Sequence, residues 1–282
     1  MYMQEDQHLE WMKSRHGFFT SSETVRLMAG VDDPELLGST KLRLAIEGIK
    51  KLKPKDFSAS DGKPYVKPLR AVLEWHDEIT AAETAYAMKM MDPYPDGLKT
   101  YAEEKAVELM TEFRIENELK VPHILWGKEQ ETIGISTFAM QMNLKPENIG
   151  EDQEFIVKDE VSGSTPDAVI RDDKGVIYTG IEAKCPNSRT HANYRINIKD
   201  AKTLKEEEPK YYWQIMDQMR CTDAGEWYFI SFDPRYSDPA LHLHTIVIKR
   251  NDEDIAKIEK RLAMATEWRN AYMDKLIKGG ES

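Results

Sequence analysis

Apolar and polar positions change rhythm part-way along the chain. Residues 98–120 follow a helical period, with Leu98, Tyr101, Leu109, Phe113 and Ile115 falling roughly on one side and charges elsewhere. A second helix is predicted from near Trp126 to about Gln141. Glu154 to Asp159, Asp167 to Arg171 and Val176 to Ala183 are instead short segments rich in Val, Ile and Tyr. The turn R-D-D-K-G joins the last two, which reads as a β-hairpin. Helical spacing returns over residues 207–221. Two further strands are predicted over Glu226–Phe232 and His242–Arg250, and an amphipathic helix over 251–277 closes the chain.

Upstream, residues 4–15 and 21–29 read as short helices, with Ser21 or Ser22 able to cap the second. Residues 69–91 are another helical run, and Pro93, Pro95 and Gly97 break it. The order predicts an α/β fold with α+β character, in which a central mixed β-sheet is flanked by helices. Residues 1–282 are expected to form one domain.

Composition narrows the class. Hydrophobic residues make up 40% and charged residues 32%, a soluble globular balance. No apolar run reaches the ~20 residues that cross a bilayer, so no membrane association is expected. The polar start M-Y-M-Q-E-D-Q-H shows no signal peptide, and two cysteines, Cys185 and Cys221, suit a reduced cytoplasm. They are too few for a zinc or iron–sulfur cluster. The net charge of −11 counts against a nucleic-acid binder only weakly, because a basic channel can lie inside an acidic shell.

The chemistry concentrates in S-T-P-D-A-V-I-R-D-D-K-G-V-I-Y-T-G-I-E-A-K-C-P. Glu182 and Lys184 are two apart on a predicted strand and so point to one face. The hairpin can set Asp167 opposite them. Two carboxylates suit a hard cation such as Mg²⁺, and a lysine can position water and offset phosphorane charge. E-x-K also occurs at Glu103, Glu118 and Glu208, and P-D also at Asp96. A decoy of Asp96, Glu118 and Lys120 falls on predicted helix, where residues two apart diverge by roughly 200°. On spacing alone, an exposed strand with salt-bridged charges stays open as the alternative. The stretch Asn187 to Lys205 carries Arg189, His191, Arg195, Lys199, Lys202 and Lys205. It reads either as a DNA path or as a solvated basic loop.

The segment P-D-x(14)-E-A-K-C-P resembles the core motif of the lambda exonuclease family, phage recombination and alkaline nucleases of the PD-(D/E)xK superfamily. Five further segments match in order: Trp11–Ser22, Trp126–Glu131, Tyr211–Gln214, Glu226–Arg235 and Leu243–Arg250. The resemblance implies a restriction-endonuclease-like core. In it Asp167 and Glu182, with the Ala183 carbonyl, hold Mg²⁺ (two ions, with Mn²⁺ as an alternative). Lys184 orients the nucleophilic water, Glu131 holds metal-bound water, and Gln214 supports the scissile region. Arg15, Ser22 and Thr165 match the 5′-phosphate pocket, and Ile124 or Leu125 an apolar wedge. Residues 31–97 depart from the pattern as an insertion.

The function so implied is a 5′→3′ exonuclease that degrades one strand of linear duplex DNA to mononucleotides and leaves 3′ overhangs. The family further implies a homotrimeric ring, a single-strand annealing recombinase as partner, and a bacteriophage origin with work in the bacterial cytoplasm. The rivals are a PD-(D/E)xK endonuclease and a catalytically inactive DNA-binding protein.

Overall fold

The computed structural model describes residues 13–28, 94–111 and 122–279, with side chains from 126 onward in the last segment. The chain divides into two compact units, residues 1–28 with 97–282, and residues 29–96. The expected insertion lies almost wholly outside the described residues, as do Glu118 and Lys120.

Two sheets organise the first unit. The larger runs β4-β5-β6-β7, built from Ala168–Arg171, Ile177–Lys184, Glu226–Phe232 and Leu243–Lys249. β5 and β6 are parallel, while β4–β5 and β6–β7 are antiparallel, so the sheet is mixed as expected. Parallel neighbours need a crossover connection. Here it comprises three helices, α4 (Ser188–Asn197), α5 (Ala201–Glu207) and α6 (Pro209–Thr222).

The period of two along β5 sorts its side chains between the faces. Ile181 and Ala183 join Ala168, Tyr228 and Ile230 against Ile135 and Phe138 of α3 (Pro122–Met142). The intervening positions, Gly180, Glu182 and Lys184, face the α6 side. Gly180 is fixed there by close approach, since a Cβ would overlap the Trp227 indole across the parallel pair.

The smaller sheet takes one short strand from the segment expected at Glu154–Asp159, and its other two strands were not anticipated. β1 (Phe19–Thr20) pairs in parallel with β3 (Ser162–Ser164), and β2 (Ile156–Val157) pairs antiparallel with β3. A 3₁₀ turn over Ser21–Glu23 and a short helix α1 (Thr24–Met28) follow β1. Phe19 packs edge-on against Tyr101 of α2 (Asp96–Met110) at 5.2 Å. Helix α7 (Asp252–Gly279) ends the described fold.

The basic stretch 187–205 is helical. Asn187 caps α4 by accepting from the Thr190 amide, and Asp200 with Thr203 forms a capping box on α5.

Candidate active site

Asp167 stands one position before β4. Ala168 pairs with Ile181, so the antiparallel register continued by one residue sets Asp167 opposite Glu182. The Ala183 amide donates to Asp167 Oδ2 at 2.7 Å, which fixes that carboxylate on the strand. Lys184 Nζ lies 3.6 Å from the same oxygen and forms an ion pair with Glu182 Oε1. The Lys184 ammonium also sits 5.2 Å above the Tyr211 ring. Asp167, Glu182 and Lys184 therefore converge as the hairpin reading requires.

Glu182 is fully enclosed. Gln218, from α6, donates to its Oε2 at 2.7 Å, and among the described residues Oε1 meets only the Lys184 ammonium. Burial, with the Asp167 charge, pushes the Glu182 carboxyl up to about 7. Burial alone would lower the Lys184 ammonium, but Glu182 and Asp167 outweigh it and hold it above its ordinary value.

Glu131, on α3, closes the other side. Gln153 donates to its Oε1 at 2.9 Å. Burial first, then the charge of Asp167, pushes Glu131 up to about 8. Two buried acids, Glu131 and Glu182, whose affinity for protons is raised beside the charge of Asp167, form a site short of positive charge.

Among the described residues no three His, Cys, Asp or Glu side chains form a ready-made metal cage. Two facing carboxylates, with Glu182 Oε1 paired to the Lys184 ammonium, still fit Mg²⁺, which keeps several waters. Ala183, whose carbonyl is the further expected ligand, follows Glu182 on β5 and donates its amide to Asp167.

The residues expected to form a 5′-phosphate pocket, Arg15, Ser22 and Thr165, flank the strands of the smaller sheet. Thr20 pairs with Gly163 in parallel, so Ser22 and Thr165, each two residues further on, leave adjacent strand ends. Thr165 Oγ1 is buried without a hydrogen-bond partner, and Ser22 Oγ lies 3.3 Å from Thr20 Oγ1. Arg15 is half-buried near Tyr101, Glu108 and Glu23, and burial lowers its guanidinium below the ordinary value. The Tyr101 hydroxyl in turn accepts from the Thr20 amide at 2.9 Å.

Gln214 is buried on α6 one turn before Gln218. It is Gln218 that bonds Glu182, and the sequence reading missed it. The i, i+4 spacing of Gln214 and Gln218 was the available signal. Arg189 is exposed and lines a cavity of about 450 Å³ with Ser188, Arg235 and Tyr236. The Arg195 guanidinium is engaged with the backbone carbonyls of Leu243 at 2.6 Å and Ala240 at 3.4 Å. His242 and His244 bond the carbonyls of Tyr236 and Ile198. Ile124 and Leu125 fall in α3, and their side chains lie outside the described residues.

Residues 72–225, more than half of the chain, match the YqaJ-like viral recombinase domain. The chain belongs to the YqaJ-like viral recombinase family. This domain match and the fold shared with alkaline exonucleases together indicate a nuclease. Its fold is that of an alkaline exonuclease from Laribacter hongkongensis, LHK-Exo. The TM-score is 0.60 at 18% identity, covering 96% of this chain and 97% of that one. A second structure of LHK-Exo, in complex with dAMP, matches with a TM-score of 0.58 at 19% identity, over 96% and 97% of the two chains. A phage-related exonuclease from Haemophilus somnus matches over 66% of this chain and 84% of its own, at 18% identity and a TM-score of 0.48. A search of curated proteins gave no match. No helix among the described residues is long and apolar enough to cross a membrane.

Proposed function

We propose that this YqaJ-like protein is a Mg²⁺-dependent 5′→3′ exonuclease acting on linear duplex DNA. It releases mononucleotides and leaves a 3′ single-stranded overhang. The observation that carries this reading is the enclosure of Glu182 between Lys184 and Gln218, opposite Asp167. Burying a carboxylate costs free energy that packing alone does not return, so the arrangement is best explained by chemistry done there.

Asp167, Glu182 and the Ala183 carbonyl would hold the metal, as two ions or with Mn²⁺ substituting. When bound it polarises the phosphate and acidifies water. Lys184 orients the attacking water and offsets charge on the phosphorane-like transition state. Gln218 holds Glu182 in one rotamer, and Gln214 supports the scissile region from the same helix. The water oxygen bonds phosphorus, the P–O3′ bond breaks, and the leaving oxygen takes up a proton. Glu131, with its carboxyl raised to about 8, can hold or release a proton near neutral pH.

Arg15, Ser22 and Thr165 grip the 5′-phosphate. The guanidinium gives a two-pronged contact, and the unpartnered Thr165 hydroxyl is a free donor. Arg189, exposed beside its cavity, is the stronger DNA-path residue, since Arg195 is engaged with backbone. The dAMP complex of LHK-Exo supports a mononucleotide product. The homotrimeric ring, the single-strand annealing partner, the phage setting and the bacterial cytoplasm rest on the family resemblance.

The test uses 5′-phosphorylated linear duplex and closed circular duplex, each with Mg²⁺ or EDTA. Degradation of linear DNA from its 5′ ends, survival of the circle, and loss of activity in EDTA or with Asp167→Ala are expected. Cutting of the circle would mean an endonuclease. No cutting under any metal would leave a DNA-binding protein.

A further inference from the structure

Helix α6 carries a second buried acid that the chemistry above does not use. Asp217 is 2% exposed, and its two oxygens are both occupied by donors of the protein itself. Oδ2 accepts from Ser21 Oγ at 2.6 Å and Oδ1 accepts from Arg220 Nε at 2.7 Å. Arg220, also buried, passes the connection on by donating from Nη2 to Ser162 Oγ at 2.8 Å.

These contacts close on themselves. Ser162 pairs with Phe19 in the parallel β1–β3 register, and Ser21 follows directly after β1. One buried carboxylate thus ties together three segments: the turn after β1, the strand β3 and the helix α6. Each segment carries a site residue a short step further along. Ser22 is next to Ser21, Thr165 directly follows β3, and Gln218, which bonds Glu182, is next to Asp217.

We propose that Asp217 is a positioning residue that sets the distance between the 5′-phosphate pocket and the metal-binding carboxylates. The inference rests on the end-recognition reading given above. An exonuclease that releases single nucleotides must hold the terminal phosphate and the first phosphodiester one nucleotide apart. Two sheets that could slide past each other would not keep that spacing. A buried carboxylate shared by both sides does, because charged hydrogen bonds out of water are short and directional.

Ser21→Ala removes one donor and leaves the Asp217–Arg220 pair in place. Its preference for 5′-phosphorylated over 5′-hydroxyl duplex, read as a ratio of kcat/KM, is expected to fall about tenfold, the size of one charged hydrogen bond. Dinucleotides should appear among the products, while the thermal midpoint stays close to wild type. Ser21→Thr keeps the hydroxyl and should restore both the preference and mononucleotide release. Asp217→Asn, which keeps the side-chain shape, should lose the preference and release dinucleotides in the same way, but with a lower thermal midpoint, because buried Arg220 loses its neighbouring charge.

Equal losses on both kinds of end, with mononucleotides the sole product, would reduce Asp217 to a stabilising group and overturn the inference. So would a Ser21→Ala protein that discriminates as the wild type does. A wild type indifferent to the 5′-phosphate would overturn the end-recognition reading and this inference with it, so the two failures are distinct.

Discussion

Gln218 donates a 2.7 Å hydrogen bond to Glu182 Oε2, the one carboxylate of the site with no solvent exposure. Charged acceptors in low dielectric gain more from a donor than exposed ones do. Replacing Gln218 by Leu removes that donor from a group that water does not reach. Nuclease activity at saturating Mg²⁺ is expected to fall ten- to hundredfold, on the order of 1.5–3 kcal/mol for a hydrogen bond to a charged group. Steady-state rates on phosphorylated duplex would measure it. An unchanged kcat would show that Glu182 needs no such support.

Lys184 is the positive charge shared by Asp167 and Glu182. Lys184→Met keeps most of the volume and leaves two carboxylates without a counter-ion. Breaking a buried pair from one side typically costs ~3–5 kcal/mol. Urea unfolding in EDTA should show a loss of that order. Added Mg²⁺ should recover part of the stability without recovering cleavage, because the metal replaces the charge but not the hold on the water.

The raised carboxyls of Glu182, to about 7, and Glu131, to about 8, set a pH dependence. Their ordinary value is 4.5, so between there and about 8 the folded protein binds more protons than the unfolded chain. Stability from these groups is therefore fully present below pH 4.5 and is lost as pH rises through 7 to 8. In EDTA the thermal midpoint should fall by a few degrees from pH 6 to pH 9. Asp167→Asn removes a charge that raises both acids and should flatten the fall. Divalent cation affinity, followed by calorimetry, should rise over the same interval as protons are displaced.

Gly180→Ala tests the strand that carries the site. Its Cβ would meet the Trp227 indole in a fully buried pair of strands. Overpacking of this kind costs about 1–3 kcal/mol, and more where backbone must move. A clear drop in the thermal midpoint is expected. Trp227→Phe should partly relieve it in the double variant, which a double-mutant cycle would read directly.

Much of the larger sheet was legible because its signals are local. The hairpin turn, the alternation along residues 177–184 and the apolar runs of β6 and β7 each declare themselves within about ten residues. The juxtaposition of Asp167, Glu182 and Lys184 follows from that hairpin by period and register, while reading it as a metal site instead of an exposed charged strand rested on the family resemblance. Of the smaller sheet only β2, inside the Glu154–Asp159 segment, was legible. β1 is two residues long and its parallel partner lies about 140 residues away, so nothing nearby in sequence announces it. Helices α4 and α5 were readable but missed: Asn187 with Thr190 and Asp200 with Thr203 are N-terminal caps at the expected spacing. Charges at Arg189, Arg195, Lys199 and Lys202 masked a helical pattern that has little apolar face to show. Gln218 and Asp217 are ordinary polar residues until the fold places one against Glu182 and the other against Ser21.

The parallel pairing of β5 with β6 bears on when the site comes into being. Asp167, Glu182 and Lys184 can meet on a hairpin that forms within microseconds. The partners that desolvate Glu182 arrive only after the three-helix crossover has looped back and docked, a non-local step and so a slow one. A growing chain on the ribosome would thus display the acids early, solvated and near their ordinary acidity, and acquire a cutting centre last. The crossover acts as a timer on assembly, so that a half-made polypeptide carries the acids of the site without yet enclosing them.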